Sequence, residues 1–255
     1  MPQNVNGNNI LLGRGKIYFD RFDSAGLRTG ELFLGNCPTF EVTPTSEDIK
    51  KYSSADKAAD LIASDVLRTT LALRIAGDEF SKENLAMALF GDNSTLSQST
   101  AGITDEAVGN VLQGRYYPLL FRDVSAVVVT SDPAGTTYDV TDDYLVDAVS
   151  GRIYIVEGGA IADGSDLLVD YTYGTIALPT VRGMNQTSVK GYLRFIGDPA
   201  RGPKYEIEIW RASIRSDGAL GFIADEYGQW TMVGDIESDA VVHPNEPHFL
   251  MIKVA

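Results

Sequence analysis

Along most of this chain apolar and polar residues alternate with a period of two, so the sequence predicts strands far more than helices. Gly15-Lys16-Ile17-Tyr18-Phe19-Asp20-Arg21-Phe22 is aromatic and β-branched, hence a strand, and Asp23-Ser24-Ala25-Gly26 turns the chain after it. A second strand runs from about Cys37 to Thr43, with Phe40 and Val42 on one face and Thr39, Glu41 and Thr43 on the other. A third, Val66 to Ile75, sets Leu67, Thr69, Leu71, Leu73 and Ile75 against Arg68, Thr70, Ala72 and Arg74. The clearest helix covers about residues 81–90: Ser81 can cap it, Leu85, Met87, Ala88 and Leu89 supply apolar bulk, and Gly91 stops it. A helix this short needs a sheet to lie on.

Residues 44–65 show no β period and mix Glu47, Asp48, Asp56, Asp60 and Asp65 with Lys50, Lys51 and Lys57. They read as a long polar loop with a weak helix from about Asp56 to Ile62. Loops of this length in compact domains tend to be functional or to become ordered on a partner. From Asp92 to Ser99 the composition turns to Ser, Thr and Asn, and short strands follow at 124–130, 144–147, 152–156 and 167–173. Turns at Asp132-Pro133-Ala134-Gly135, Ser150-Gly151 and Asp163-Gly164-Ser165-Asp166 separate them. Long strands return at 189–196, 204–215, 218–224, 231–236 and 249–254. The expected organisation is a mainly β domain in two parts, 1–91 and 181–255, interrupted by an inserted β-hairpin-rich region, 92–180.

Composition narrows the function. With 44% hydrophobic and 22% charged residues the 255-residue chain has the make-up of a globular protein. No run approaches the roughly 20 apolar residues of a membrane span, and the N-terminus lacks the pattern of a signal peptide, so no membrane partner and a cytoplasmic site of synthesis are expected. The single Cys37 excludes an internal disulfide. A net charge of −14 disfavours ordinary nucleic-acid binding, which rests on Lys and Arg meeting phosphates.

Candidate chemistry is sparse. There is no phosphate loop, no H-E-x-x-H zinc pattern and no nucleophile elbow, so no catalytic residue, metal ligand or cofactor is predicted. The two histidines, His243 and His248, flank Pro244-Asn245-Glu246-Pro247, an extended turn rather than a zinc site. The acids Asp142-Asp143, Asp147, Asp163 and Asp166 lack the spacing of a calcium loop and are read as turn formers.

The order of these pieces resembles the major tail tube proteins of long-tailed, siphophage-like bacteriophages. The resemblance rests on Gly15-Lys16-Ile17-Tyr18-Phe19-Asp20, on Leu34-Gly35-Asn36 leading to Phe40-Glu41-Val42 and the polar 44–65 stretch, and on the 81–91 helix. It continues in Gly191-Tyr192-Leu193-Arg194-Phe195 and Tyr205-Glu206-Ile207-Glu208-Ile209-Trp210. Tyr144-Leu145-Val146-Asp147, Gly151-Arg152-Ile153-Tyr154-Ile155 and Asp170-Tyr171-Thr172-Tyr173 look like β modules of phage structural proteins. The resemblance implies a β-sandwich with a short flanking helix, six copies per ring, inner strands joined into an inter-subunit β-barrel, and rings stacked into a virion tail assembled in the host cytoplasm. The implied partners are the chain itself, tape-measure, tail terminator and distal tail proteins; double-stranded DNA passes through the lumen without specific binding. The insert is expected on the tube exterior.

Within that picture Glu41, Glu206 and Glu208, each opposite apolar neighbours on its strand, are the lumen-lining candidates. The ring-stacking candidates are Glu47, Asp48, Lys50, Lys51, Asp56, Lys57 and Asp60. Arg68 and Arg74, on the wet face of a neighbouring strand, fit an acidic lumen only if they pair with acids. The alternative is another virion component or a receptor- or carbohydrate-binding β-sandwich module, marked by exposed aromatics beside acid and amide groups. A hydrolase built from scattered carboxylates is a third reading, without a motif behind it.

Overall fold

The computed structural model describes residues 6–55 and 57–254. The elements before the insert are β1 (Gly15–Arg21), β2 (Leu32–Phe33), β3 (Thr39–Tyr52), β4 (Leu61–Gly77) and α1 (Lys82–Ala88). The middle contributes β5 (Asp92–Gln98), β6 (Ala101–Val111), β7 (Tyr116–Pro118), β8 (Val124–Ser131), β9 (Tyr144–Asp147), β10 (Arg152–Ile155), β11 (Ser165–Tyr173) and β12 (Ile176–Arg182). The last stretch adds β13 (Val189–Gly197), β14 (Tyr205–Ser216), β15 (Trp230–Ile236) and β16 (Phe249–Lys253). The protein is mainly β, its strands paired antiparallel in several sheets. It divides into two compact units, 1–93 with 181–255, and 94–180.

The first unit is built on an eight-stranded sheet in the order β2-β1-β13-β14-β15-β4-β3, with β16 also paired to β14. Alternation buries one face: Ile17, Phe19, Leu73, Ile75, Leu193, Ile209, Ile214 and Met232 form the core. The sheet bends enough for Phe40 on the edge strand to stack on Phe195 of β13, centroids 5.1 Å apart. The helix closes the core with Met87 and Ala88. Ser81 caps it by accepting from the Asn84 N–H at 3.1 Å, and the buried Asn84 side chain donates to the Leu34 and Glu79 carbonyls at 2.9 Å. Trp230 donates its indole N–H to the same Glu79 carbonyl at 2.9 Å, and its ring lies so close to Gly77 that a Cβ there would meet Cζ2 at 2.1 Å.

The second unit holds two three-stranded sheets, β6-β11-β8 and β7-β10-β9, sharing a core of Val111, Val129, Ile153, Ile155, Leu167 and Val169. Its acids hold the backbone. In β6, Asp105 and Asn110 sit at positive φ, 56° and 54°, where the register against β11 slips. Their N–H groups are received by the carboxylates of Asp170 and Asp166 at 2.7 and 2.8 Å. Asp143 accepts from the Ala160 and Asp139 N–H groups, Asp147 from Ser150, and Asp163 from Gln113. Of the acids read as turn formers, Asp143 and Asp147 accept N–H groups four and three residues away, whereas Asp163 and Asp166 hold Gln113 and the β6 bulge at Asn110, far off in the chain.

Four expectations need correction. Residues 44–65 are no loop: β3 continues to Tyr52, β4 begins at Leu61, and only the segment between them turns. The expected helix at 56–62 is absent among the described residues, since Lys57 lies in a turn and Leu61 and Ile62 in β4. The ribbon hides from a periodicity test because it is wet on both faces, and alternation appears only where one face is buried. Residues 218–224 form no strand; Gly218 at φ 98° breaks the extended backbone after β14, and Phe222 and Ile223 point into solvent. Finally, 92–98, read only as a change of composition, and 101–111, given no element, are strands.

Candidate functional site

Two surfaces of the first unit stand out. The first is the outer face of the large sheet. In register, Glu41 faces Arg74, Arg74 faces Val233, and Val233 faces Arg215, while Phe40, Ile75 and Met232 take the core side. On β14, Glu206 and Glu208 alternate with the core-facing Ile207 and Ile209, and an extra residue opposite Tyr192 returns Ala212 and Ile214 to the core. Glu41, Glu206 and Glu208 therefore share the outer face, although β4 and β15 separate the first from the other two.

Glu206 and Glu208 are not free anions. Arg194, directly opposite Glu208, lies 2.6 Å from Glu206, 2.9 Å from Glu208 and 3.1 Å from Glu31. Arg28 bridges Glu31 at 3.0 Å to the buried Asp20 at 2.6 Å and stacks its guanidinium 3.9 Å above the Tyr192 ring. Burial works against the Arg194 charge, but the hydrogen bond to Glu206 and the surrounding negative charges outweigh it and raise its pKa. Burial, then the Glu208 charge, pushes the Tyr192 hydroxyl up. Asp20 runs the other way: burial alone would raise it, but hydrogen bonds from Arg28, Gly30 and Thr29 hold it below the usual carboxylate range. Four carboxylates against two guanidiniums leave this cluster at −2. Arg68 and Arg74 also have acids, Glu47 at 2.7 Å and Asp217 at 3.2 Å. Arg194, Arg28 and Asp20 escaped the sequence reading because their partners become visible only once register is known.

The second surface is the arm. Only Ala72–Gly77 of β4 pairs with β15; from Pro44 opposite Leu71 to Tyr52 opposite Leu61 the hairpin is two strands with no third. Ile49, Tyr52, Leu61, Ile62, Val66 and Leu67 are each more than half exposed there. Of the stacking candidates, Glu47, Asp48, Lys50 and Lys51 lie on β3 within this arm, and Lys57 and Asp60 in the turn beyond it; Asp56 lies outside the described residues. A two-stranded ribbon is marginal in water unless something covers it. β3 also ends the sheet, so its outer edge is unpaired among the described residues.

Reactive chemistry is scarce elsewhere. No group of three or more His, Cys, Asp or Glu side chains among the described residues is placed to hold a metal. His243 stacks on Trp210 with ring centroids 3.7 Å apart, and Trp210 donates to the Glu246 carbonyl at 2.7 Å, which pins the loop. Burial and the nearby charges of Asp78 and Glu79 push the Cys37 thiol up to about 12, so it stays neutral and weakly nucleophilic. Among the described residues no helix is long and apolar enough to cross a membrane.

Fold and surface together define a mainly β protein of two units, one carrying an unsupported two-stranded arm. The chain belongs to the family described as protein of unknown function UCP028589, which matches residues 10–247 and thus reaches into both units. No curated protein matches the sequence.

Proposed function

We propose that this chain is a structural subunit that polymerises as stacked hexameric rings into the tail tube of a long-tailed bacteriophage, and that it catalyses nothing. The observation that carries this reading is the arm: a ribbon of up to nine paired positions with apolar side chains in water is stable only when a partner covers it. The open edge of β3 gives neighbouring copies a place to join sheets, which is how a β-sandwich subunit builds an inter-subunit barrel and removes its edges. In this reading the shared outer face of Glu41, Glu206 and Glu208 meets the passing DNA. Arg194 moderates that face, making it weakly anionic, and screening over about 8 Å confines its action to the wall.

Negative-stain electron microscopy of the purified, concentrated protein near physiological salt tests the reading. Rings or hollow tubes are expected; dispersed particles at every concentration would count against it. A second reading has one observation of its own. On the β7-β10-β9 sheet Tyr116 and Tyr154 lie 4.9 Å apart beside the Arg152–Asp147 ion pair, a platform of the kind that stacks on sugar rings. Binding on a glycan array by a protein that forms no tubes would favour a carbohydrate-binding module.

A further inference from the structure

At one end of the first unit's core an apolar groove of about 470 Å³ opens. Ile17, Phe195, Ile207 and Met251 stand in one register row across β1, β13, β14 and β16, and Phe40 and Cys37 complete the wall. Arg14 is the only charged residue in the lining, so the groove lacks the converging polar groups that orient a small ligand. We propose that it receives the β3–β4 arm of a second copy of this chain. This deepens the assembly reading and rests on it.

The argument is one of position. Groove and arm lie at opposite ends of the same strand: Phe40 is the second residue of β3 and Tyr52 the last. Twelve residues at about 3.3 Å each set them roughly 40 Å apart. Pairing with β4 runs along the whole of this length, so the arm cannot fold back into its own groove. An apolar projection and an apolar recess that cannot meet within one chain can meet between two. Such a contact joins unlike surfaces, and each added copy presents a new arm and a new groove. The result is propagation along the direction of β3, as axial growth of a tube requires. Tyr52, Leu61 and Ile62, at the tip, are the side chains that enter.

Cys37, the only cysteine, is too weakly nucleophilic to report on the groove, so the test replaces it by Ala and sets a thiol on the groove wall at the half-exposed Met251. In a Cys37→Ala, Met251→Cys, Leu61→Cys variant treated with dibromobimane, a short thiol-to-thiol linker, peptides joined through positions 61 and 251 and a ladder of covalent oligomers are expected. The same variant without Met251→Cys should give linked pairs at most. Met251→Glu, which places a charge in the groove at a half-exposed position, should raise the concentration needed for assembly at least tenfold without moving the melting temperature of the free subunit. Leu27→Glu, at an exposed apolar residue outside both surfaces, should change neither. Tubes that form without any 61–251 link, or that tolerate Met251→Glu, would overturn the groove assignment and leave the assembly reading standing. Unlinked single subunits at every concentration would overturn both.

Discussion

The two units use charge and apolar surface in opposite ways. Residues 94–180 hold twelve acids against three arginines, a net −9, whereas the other 168 residues hold twenty-three acids against eighteen bases, a net −5. The acidic excess of the smaller unit is largely explained by its own backbone: Asp143, Asp163, Asp166 and Asp170 each receive at least one N–H from a turn or bulge. The larger unit pairs its acids with arginines instead and leaves a run of apolar side chains on a ribbon in water. One unit completes its own hydrogen bonding and core; the other has a surface that the proposed association would complete. If the proposed assembly holds, net charge alone points to the wrong unit as the one that meets partners.

The largest effect should come from removing the ribbon. Joining Thr43 to Ala72, which face each other in register, through Asn-Gly should leave a folded subunit that no longer assembles, seen by microscopy and by an unchanged melting transition. Assembly of that variant would remove the arm from the mechanism. Next, Trp230→Ala should cost the larger unit about 3–5 kcal/mol, from the lost core volume and one of the two hydrogen bonds to the Glu79 carbonyl, while calorimetry shows the transition of residues 94–180 unmoved. A joint shift of both would show that the units are not independent.

Asp20→Asn removes the charge that gathers Arg28 and the Thr29 and Gly30 N–H groups, and should destabilise by about 1–3 kcal/mol at neutral pH. The folded pKa of Asp20 is depressed, so its contribution is complete above the unfolded value near about 3.9 and is lost as pH falls through the folded value. Wild type and variant should therefore converge in acid denaturation below about pH 4; a constant gap would refute the charge argument. The smallest effect belongs to Arg68→Gln, which opens the exposed pair with Glu47 and should change subunit stability by less than about 1 kcal/mol in urea titration.

Much of the scaffold was legible in the sequence wherever one face is buried. The strands at 189–197 and 205–216 and the helix opened by Ser81 announce themselves through alternation and capping. The ribbon did not, because Pro44, Glu47, Asp48, Lys50 and Lys51 have weak strand preference and no dry side to impose a pattern. The opposite error fell at 218–224, where an apolar run suggested a strand but glycine at positive φ and a lack of neighbours left Ile223 almost fully exposed. At the candidate site, alternation identified the outward side of Glu41, Glu206 and Glu208. It gave no hint of Arg194, whose relation to those acids is set by how β13 and β14 align.

Pro44 sits where the ribbon leaves the sheet, on a strand whose outer edge is open. Having no N–H, it interrupts the ladder that an incoming strand would read, and Lys50 and Lys51 further along repel an approach in the same register by another copy. In the proposed assembly, these features would guard free subunits against indiscriminate strand addition until a correctly oriented end is offered.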